Sequence, residues 1–152
     1  MNKLVSLLIL FMFTLGLNAQ DLILENDLYY KDGKLFTGLH KEYYENGNIK
    51  AEYNINEGRL DGISTLYFSN GQKSEQQSYS NGIMDGEWIN WNESGIMIAQ
   101  AHYLDGNKDG NWNIWNDRGV KLYEMYYDRG KKTGKWTMWN DNGELTMQRE
   151  YK

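Results

Sequence analysis

The sequence predicts an all-β fold: an elongated antiparallel meander of tandem 24-residue β-hairpin repeats, with about eleven strands. From Gly38 onward the glycines are separated by nine, eleven and four residues in turn, and this pattern repeats without insertion as far as Gly143. Glycine is the usual residue where the backbone φ is positive, so a fixed glycine period indicates a fixed series of turns. Aromatic residues recur at fixed distances from these glycines, and no window after the first twenty residues has a helical hydrophobic period.

The first nineteen residues predict a secretory signal peptide. Lys3 is followed by an apolar run at 4–15, and the small residue Ala19 ends the segment. A membrane anchor is the alternative, but a spanning helix needs ~20 apolar residues, and the polar residues Asn18 and Gln20 come too early. We therefore expect cleavage after Ala19 or Gln20, which leaves no transmembrane segment, and export of the protein to a periplasm or to the outside of the cell.

The composition of residues 20–152 indicates a single acidic domain without disulfides. The whole chain has 16 Lys and Arg residues against 21 Asp and Glu residues, and it contains no Cys and no Pro. Proteins that bind nucleic acid or anionic membranes need clustered basic residues, so we expect neither partner. Without proline only charge protects the edge strands of the sheet, which leaves self-association through an edge strand open.

The repeat divides into a half unit at 22–37 and units at 38–61, 62–85, 86–109, 110–133 and 134–152. Within a unit, a first strand rich in aromatic residues ends at a turn such as Asn46-Gly47, and a second strand ends near the next glycine. Asn-Gly between two β-prone runs predicts a hairpin turn, since both residues accept positive φ. Each unit is therefore expected to be a pair of antiparallel strands.

Three columns of residues recur at fixed positions in the units. The aromatic column, five residues after each opening glycine, consists of Tyr43, Tyr67, Trp91, Trp115 and Trp139. The tyrosine column, seventeen residues after the first glycine of each unit, consists of Ile55, Tyr79, Tyr103, Tyr127 and Tyr151. The stripe, two residues after the first glycine of each unit, consists of His40, Ser64, Trp88, Trp112 and Trp136.

These columns predict a core and a binding surface. The aromatic column never changes to a polar residue, so we expect it to be buried in the core. The stripe lies three residues nearer the glycine, and in a regular strand this odd offset places it on the opposite face. Because His40 and Ser64 occupy the stripe in the first two units, exposure is expected to be tolerated there. The candidate binding residues, which would form a contact stripe for a partner, are Trp88, Trp112 and Trp136.

No catalytic or cofactor site is predicted. Cys is absent, and the two histidines, His40 and His102, lie two units apart. Asp61, Asp85 and Asp109 align, but equivalent residues of successive units are expected ~10 Å apart, which is too far for a retaining carboxylate pair. This spacing favours a role as turn residues. We therefore expect a protein that is not an enzyme and that uses no cofactor.

The segment 105–110 matches the first half of a calcium-binding EF-hand loop. It has oxygen donors at its first, third and fifth positions and a glycine at its sixth. The twelfth position needs a bidentate Glu but holds Asn116, and the segment coincides with the turn between two units. We therefore predict a turn here and no metal site.

The segments 79–91 and 127–139 best show the order of the repeat: a tyrosine, a turn, a Gly-x-x-x-Gly spacing and a strand with two tryptophans. This pattern resembles the variant of the MORN repeat found in bacterial proteins, many of which are labelled YwqK-type antitoxins. The resemblance covers roughly 29–152 and implies a bacterial β-repeat scaffold. Three functions follow as alternatives: a protein-binding scaffold, an antitoxin or immunity protein, and a cell-wall or carbohydrate binder that stacks sugars on the tryptophans.

Overall fold

The computed structural model describes residues 22–152, which contain β-strands and no helix. The predicted signal peptide at 1–19 lies outside the described residues. The strands are β1 (Ile23–Glu25), β2 (Leu28–Lys31), β3 (Lys34–Leu35), β4 (Gly38–Tyr43), β5 (Ile49–Asn56), β6 (Arg59–Leu60), β7 (Gly62–Tyr67), β8 (Lys73–Ser80), β9 (Ile83–Trp91), β10 (Met97–Leu104), β11 (Asn107–Trp115), β12 (Lys121–Asp128), β13 (Lys131–Trp139) and β14 (Leu145–Tyr151).

The main sheet is an 11-stranded antiparallel meander. Its strands follow the order β14-β13-β12-β11-β10-β9-β8-β7-β5-β4, and the short strand β6 pairs with β5 beside β7. Neighbours in the sheet are therefore neighbours in the chain, as expected for tandem hairpins. The prediction of an all-β meander is confirmed.

The half unit at 22–37 contains three short strands, β1 to β3. The chain reverses at Asn26-Asp27, where both residues have positive φ (50° and 61°), so β1 and β2 form a hairpin that pairs with β3 in a separate 3-stranded sheet. Asn and Asp adopt this left-handed conformation more readily than other side chains, which explains why the chain turns there. The small sheet is joined to the main one because the N–H of Tyr29 donates to the carbonyl of Gly58 at 2.8 Å.

The turns within units and the turns between units have different backbone geometries. At the turn within a unit only the glycine has positive φ: Gly47 has 84°, its N–H donates to the carbonyl of Tyr44, and Asn46 is not left-handed. This is the geometry of a three-residue hairpin loop that ends in a glycine bulge. Two consecutive residues with positive φ, the type I′ geometry, instead occur between units, as at Asp105-Gly106. The expectation that both residues of Asn46-Gly47 use positive φ is therefore wrong.

Hydrogen bonds tie the turns of successive units together along one long side of the array. The side-chain amide of Asn46 donates to the carbonyl of Ser69 at 3.0 Å, and that of Asn70 donates to the carbonyl of Glu93 at 3.2 Å. On the other side, the N–H of Gly106 donates to the carbonyl of Met84 at 2.8 Å. Each unit is thus held to the next at both ends of its strands as well as through the strand ladder.

The turns between units provide a test of this geometry. Arg129 has a φ of 44°, whereas the equivalent residue in an earlier unit is Asn81 with a φ of 50°. Because Asn tolerates the left-handed conformation better than Arg, Arg129→Asn should raise the free energy of unfolding by about 1 kcal/mol, and Asn81→Arg should lower it by about as much. Urea unfolding followed by far-UV circular dichroism measures both. Two changes of the same sign would contradict the turn assignment.

Candidate binding face

The strand register brings the stripe and the tyrosine column onto one face of the sheet. Trp112 pairs with Met125 of the next strand, and two positions away Gly110 pairs with Tyr127. Residues directly opposite each other in neighbouring strands point to the same face, so these side chains lie together. We call this surface the ladder face. The ladder consists of Trp88, Tyr103, Trp112, Tyr127, Trp136 and Tyr151.

Tryptophan and tyrosine rings alternate along the ladder in continuous contact. The centroid distances between successive rings, from Trp88 to Tyr151, are 5.3, 5.2, 5.5, 5.2 and 4.8 Å, with the rings tilted or edge-on. Such aromatic pairs contribute about 0.5–1.5 kcal/mol each beyond the area that they bury. The indole N–H of Trp112 also donates to the carbonyl of His102, and that of Trp136 donates to the carbonyl of Tyr126, both at 3.0 Å. The ladder therefore joins six consecutive strands.

The first glycine of a unit lies opposite a tyrosine of the ladder. Tyr103 lies directly opposite Gly86, whose φ is 102°. A Cβ added to this glycine would lie 3.0 Å from the Cβ of Ser78, a residue on the face opposite the ladder. Any side chain at this position would be strained, which favours glycine here. Opposite Tyr103 the neighbouring strand therefore has backbone and no side chain.

Basic side chains lie over the last rings of the ladder. The Nζ atom of Lys108 lies 4.3 Å from the ring centroid of Trp112, and the Nζ atom of Lys132 lies 4.5 Å from that of Trp136. The guanidinium of Arg149 lies 4.9 Å from the ring centroid of Tyr151. All three basic residues are exposed. The outer surface of the ladder is therefore cationic at this end.

The aromatic column lies on the opposite face and is not the main core. The buried apolar residues of the described chain, all on the ladder face, are Ala51, Ile55, Ala101 and Trp136. Trp91, Trp115 and Trp139 are only half-buried, and Tyr43 is 59% exposed. The expectation of opposite faces is thus correct, but the expectation that the aromatic column is a buried core is wrong, since none of its residues is buried. In the stripe, Ser64 and Trp136 are buried, and the other residues are half-buried like most of the aromatic column. The tyrosine column fills the gaps between the stripe residues.

The polar residues of the stripe are packed as well. Ser64 is fully buried, and the ring of His40 stacks on that of Tyr53 at 6.3 Å. Their polarity therefore does not mark an exposed face, as the sequence suggested. It marks the end of the tryptophan ladder, because the first two units hold smaller residues at its positions. Whether Trp88, Trp112 and Trp136 bind a partner stays a prediction.

The aligned acids take part in turns. The carboxylate of Asp85 accepts a hydrogen bond from the N–H of Asp105 at 3.3 Å, and that of Asp109 accepts one from the N–H of Arg129 at 3.1 Å. In residues 22–152 no three His, Cys, Asp or Glu side chains come together as a metal site would require. Asp105 itself begins a turn between units, with a φ of 49°. The expectations of no catalysis and no bound metal stay predictions.

A polar cluster on the opposite face was missed from the sequence. The hydroxyl of Tyr67 donates to the Oε2 atom of Glu52 at 2.7 Å, and the Nζ atom of Lys41 lies 2.7 Å from its Oε1 atom. The Lys41 ammonium lowers the pKa of the Glu52 carboxyl, with the Tyr67 hydroxyl as the next cause. Burial, followed by the hydrogen bond to Glu52, raises the pKa of Tyr67 to about 12. These residues come from three strands of two units, and no sequence motif connects them.

The ladder predicts an order of stability losses for two tryptophans. Trp112→Ala removes two ring contacts, a hydrogen bond and a cation contact, so it should lower the free energy of unfolding by about 3–5 kcal/mol. Trp115→Ala, on the opposite face, should cost roughly half as much. Both rings are half-buried, but within residues 22–152 the Trp115 ring pairs with no other aromatic ring and has only the Lys121 ammonium near it. Urea unfolding of the two variants measures the difference. A greater loss for Trp115→Ala would mean that the opposite face is the core.

The raised pKa of Tyr67 predicts a pH dependence of stability. Above pH ~10 the unfolded chain loses the phenol proton that the folded protein keeps, so this residue should make the free energy of unfolding fall as the pH rises from about 10 to about 12. Glu52→Gln removes the neighbouring negative charge and should lower the pKa of Tyr67. NMR titration of ring-labelled tyrosine, assigned with Tyr67→Phe, measures this pKa. A pKa unchanged by Glu52→Gln would contradict the role given to that hydrogen bond.

Comparison with known proteins agrees with this geometry. The described residues contain no helix long and apolar enough to cross a membrane. No curated protein matches the chain. The family model described as the MORN repeat variant matches residues 36–57, 60–81, 84–105 and 132–152, together more than half of the 152 residues. In the unmatched stretch at 106–131, β11 and β12 pair antiparallel as the matched hairpins do. The chain therefore belongs to the MORN repeat variant family.

Proposed function

We propose that this protein is a non-enzymatic, exported scaffold that binds another protein through the ladder face. MORN repeats are in general interaction or binding repeats, which supports the class of function. The signal peptide expected at 1–19 supports export, so under this proposal the partner is met outside the cytoplasm.

The observation that carries the proposal is the composition of the ladder face in β11–β14. Tyr127, Met125 and Met147 lie beside the tryptophans there, and within residues 22–152 no second layer covers this face. Met147 is 42% exposed. Contiguous apolar surface of this kind, with aromatic residues and basic groups around it, is typical of sites where proteins associate. The rigid ladder would hold the contact residues in place before binding.

The shape of the face favours a macromolecular partner over a small molecule. A hollow between Trp88, Tyr103 and Trp112 has a volume of about 140 Å³. Sites for small ligands are usually about 300–1,000 Å³, so this hollow is better suited to a single side chain of a partner. The absence of converging acid, base and nucleophile among these residues supports binding without catalysis.

The two alternative functions have less support. The role of an antitoxin or immunity protein rests on the resemblance to YwqK-type proteins, and it would make the partner one tightly bound effector. Sugar binding needs free ring faces, but Trp112 has Tyr103 and Tyr127 beside it at 5.2 and 5.5 Å and Lys108 over its ring. The ladder is therefore a poor platform for stacked sugars.

Two exposed residues of β14 give a matched test of the ladder face. Met147 pairs with Met138 on the ladder face, whereas Leu145 pairs with Trp139 on the opposite face and is 56% exposed. With tagged protein as bait in an envelope extract, the wild type and Leu145→Glu should capture the same protein, identified by mass spectrometry. Met147→Glu should reduce its capture at least tenfold, because it places a charge in an apolar contact. Equal capture by both variants would contradict binding through the ladder face.

A further inference from the structure

We propose that the partner presents an acidic amphipathic helix to the cationic half of the ladder face, an inference that rests on the proposed function. The cationic half is the ladder face of β11–β14, with three kinds of residue. The basic residues are Lys108, Lys132 and Arg149; the rings are Trp112, Tyr127, Trp136 and Tyr151; the methionines are Met125, Met138 and Met147.

Charge is separated between the two faces in this part of the sheet. The ladder-face positions of β11–β14 carry three basic residues and no Asp or Glu, although the whole chain has a net charge of −5. The acids of these strands, such as Glu124 and Glu150, are paired with residues of the opposite face. A basic surface on an acidic protein attracts an anionic partner and orients it toward one face.

The three basic residues have no carboxylate partner within the described chain. Among residues 22–152 the ion pairs of Lys are those of Lys41, Lys50 and Lys121, and none includes Lys108, Lys132 or Arg149. The rings beneath them position the basic groups but carry no net charge. A carboxylate from a partner would form charge-assisted hydrogen bonds that these groups do not make within this protein.

The spacing of the basic residues fits a helix lying across the strands. Lys108 and Lys132 are equivalent residues of successive units, and one strand, β12, lies between their strands, so they are two strand spacings, or about 10 Å, apart. On an α-helix, residues i and i+7 are separated by about 10.5 Å along the axis. Acidic residues at i and i+7 would therefore meet both lysines, with the residues at i+3 and i+4 facing the surface between them.

The floor between the basic residues is suited to apolar side chains. Tyr127, on the strand between those of the two lysines, pairs with Lys132. Met125, two residues before it, pairs with Trp112. Methionine side chains are flexible and polarisable and adapt to the shape of an apolar partner. Leu, Ile or Phe at i+3 and i+4 of the helix would pack on this floor, which gives the partner its amphipathic character.

A nucleic acid or an anionic membrane fits these observations less well. Unpaired bases would stack on free aromatic faces, but each inner ring of the ladder contacts a ring on both sides, as Tyr127 does with Trp112 and Trp136. A long polyanion or an anionic bilayer would also be repelled by the net negative charge of the protein. A short acidic helix contacts the basic residues alone.

Two labelled peptides test the proposal directly. Both are alanine-based helices with Leu at i+3 and i+4; one has Glu at i and i+7, and the other has Lys there. Fluorescence anisotropy with the mature wild-type protein should show at least tenfold tighter binding of the Glu peptide, with an affinity that falls as salt is added. Equal affinity for the two peptides, or no binding of the Glu peptide, would overturn the proposal.

A pair of triple variants identifies the surface. Neutralising Lys108, Lys132 and Arg149 to Gln should weaken binding of the Glu peptide at least tenfold. The control triple combines Lys131→Gln, Lys135→Gln and Lys152→Gln, which make the same change in net charge at exposed residues away from the ladder. It should change the affinity for the Glu peptide less than twofold. Circular dichroism and thermal melts show whether both triples are folded. Equal weakening by the two triples would overturn the assignment to this surface.

The outcomes separate this inference from the proposed function. If the Glu peptide fails but Met147→Glu still abolishes capture of an envelope protein, the acidic helix is wrong and protein binding through the ladder face stands. Tighter binding of oligo(dT) or of phosphatidylglycerol vesicles than of the Glu peptide would overturn the inference. The same result, combined with no captured protein, would overturn the proposed function too.

Discussion

The contact between alternating tryptophan and tyrosine rings is the interaction on which this structure depends. A single sheet has no second layer to bury its apolar face, so its side chains must cover one another along the face. The ladder does this, since each inner ring contacts the ring on the strand before it and the ring on the strand after it. Hydrogen bonds between turns add a second link from unit to unit along the long sides of the array.

Much of this architecture could be predicted from the sequence, because the glycine period fixes the turns and the turns fix the strands. The packing face could not. The sequence favoured Trp115 over Trp112 as a core residue, but only Trp112 lies on the face of the tyrosine column, and a shift of register lies between Ile114 and Trp115. Such shifts are properties of strand pairs, so the pattern of one strand does not contain them. The reversal at Asn26-Asp27 could not be predicted for a different reason: the turn contains no glycine, so the glycine period does not mark it.

The rings of the ladder both stabilise the sheet and form part of the candidate binding surface. The positions of the stripe change from His40 and Ser64 to tryptophan along the chain, and the lysines over the rings occur where the ladder is complete. The family fold therefore provides a uniform scaffold, and its last units differ in the chemistry of one face. Under the proposed function, rings already packed against one another would need little reordering when a partner binds, which would lower the entropic cost of binding.

A double-mutant cycle measures the ladder most directly. The free energies of unfolding of Trp112→Ala, Tyr127→Ala and the double variant give the coupling between two adjacent rings, whose centroids are 5.5 Å apart. The ladder predicts a coupling of about 0.5–1.5 kcal/mol for this pair. The same cycle with Trp115 and Tyr127, on opposite faces, should give a coupling near zero. No coupling between Trp112 and Tyr127, or an equal coupling in both cycles, would show that the ring contacts do not hold the sheet together.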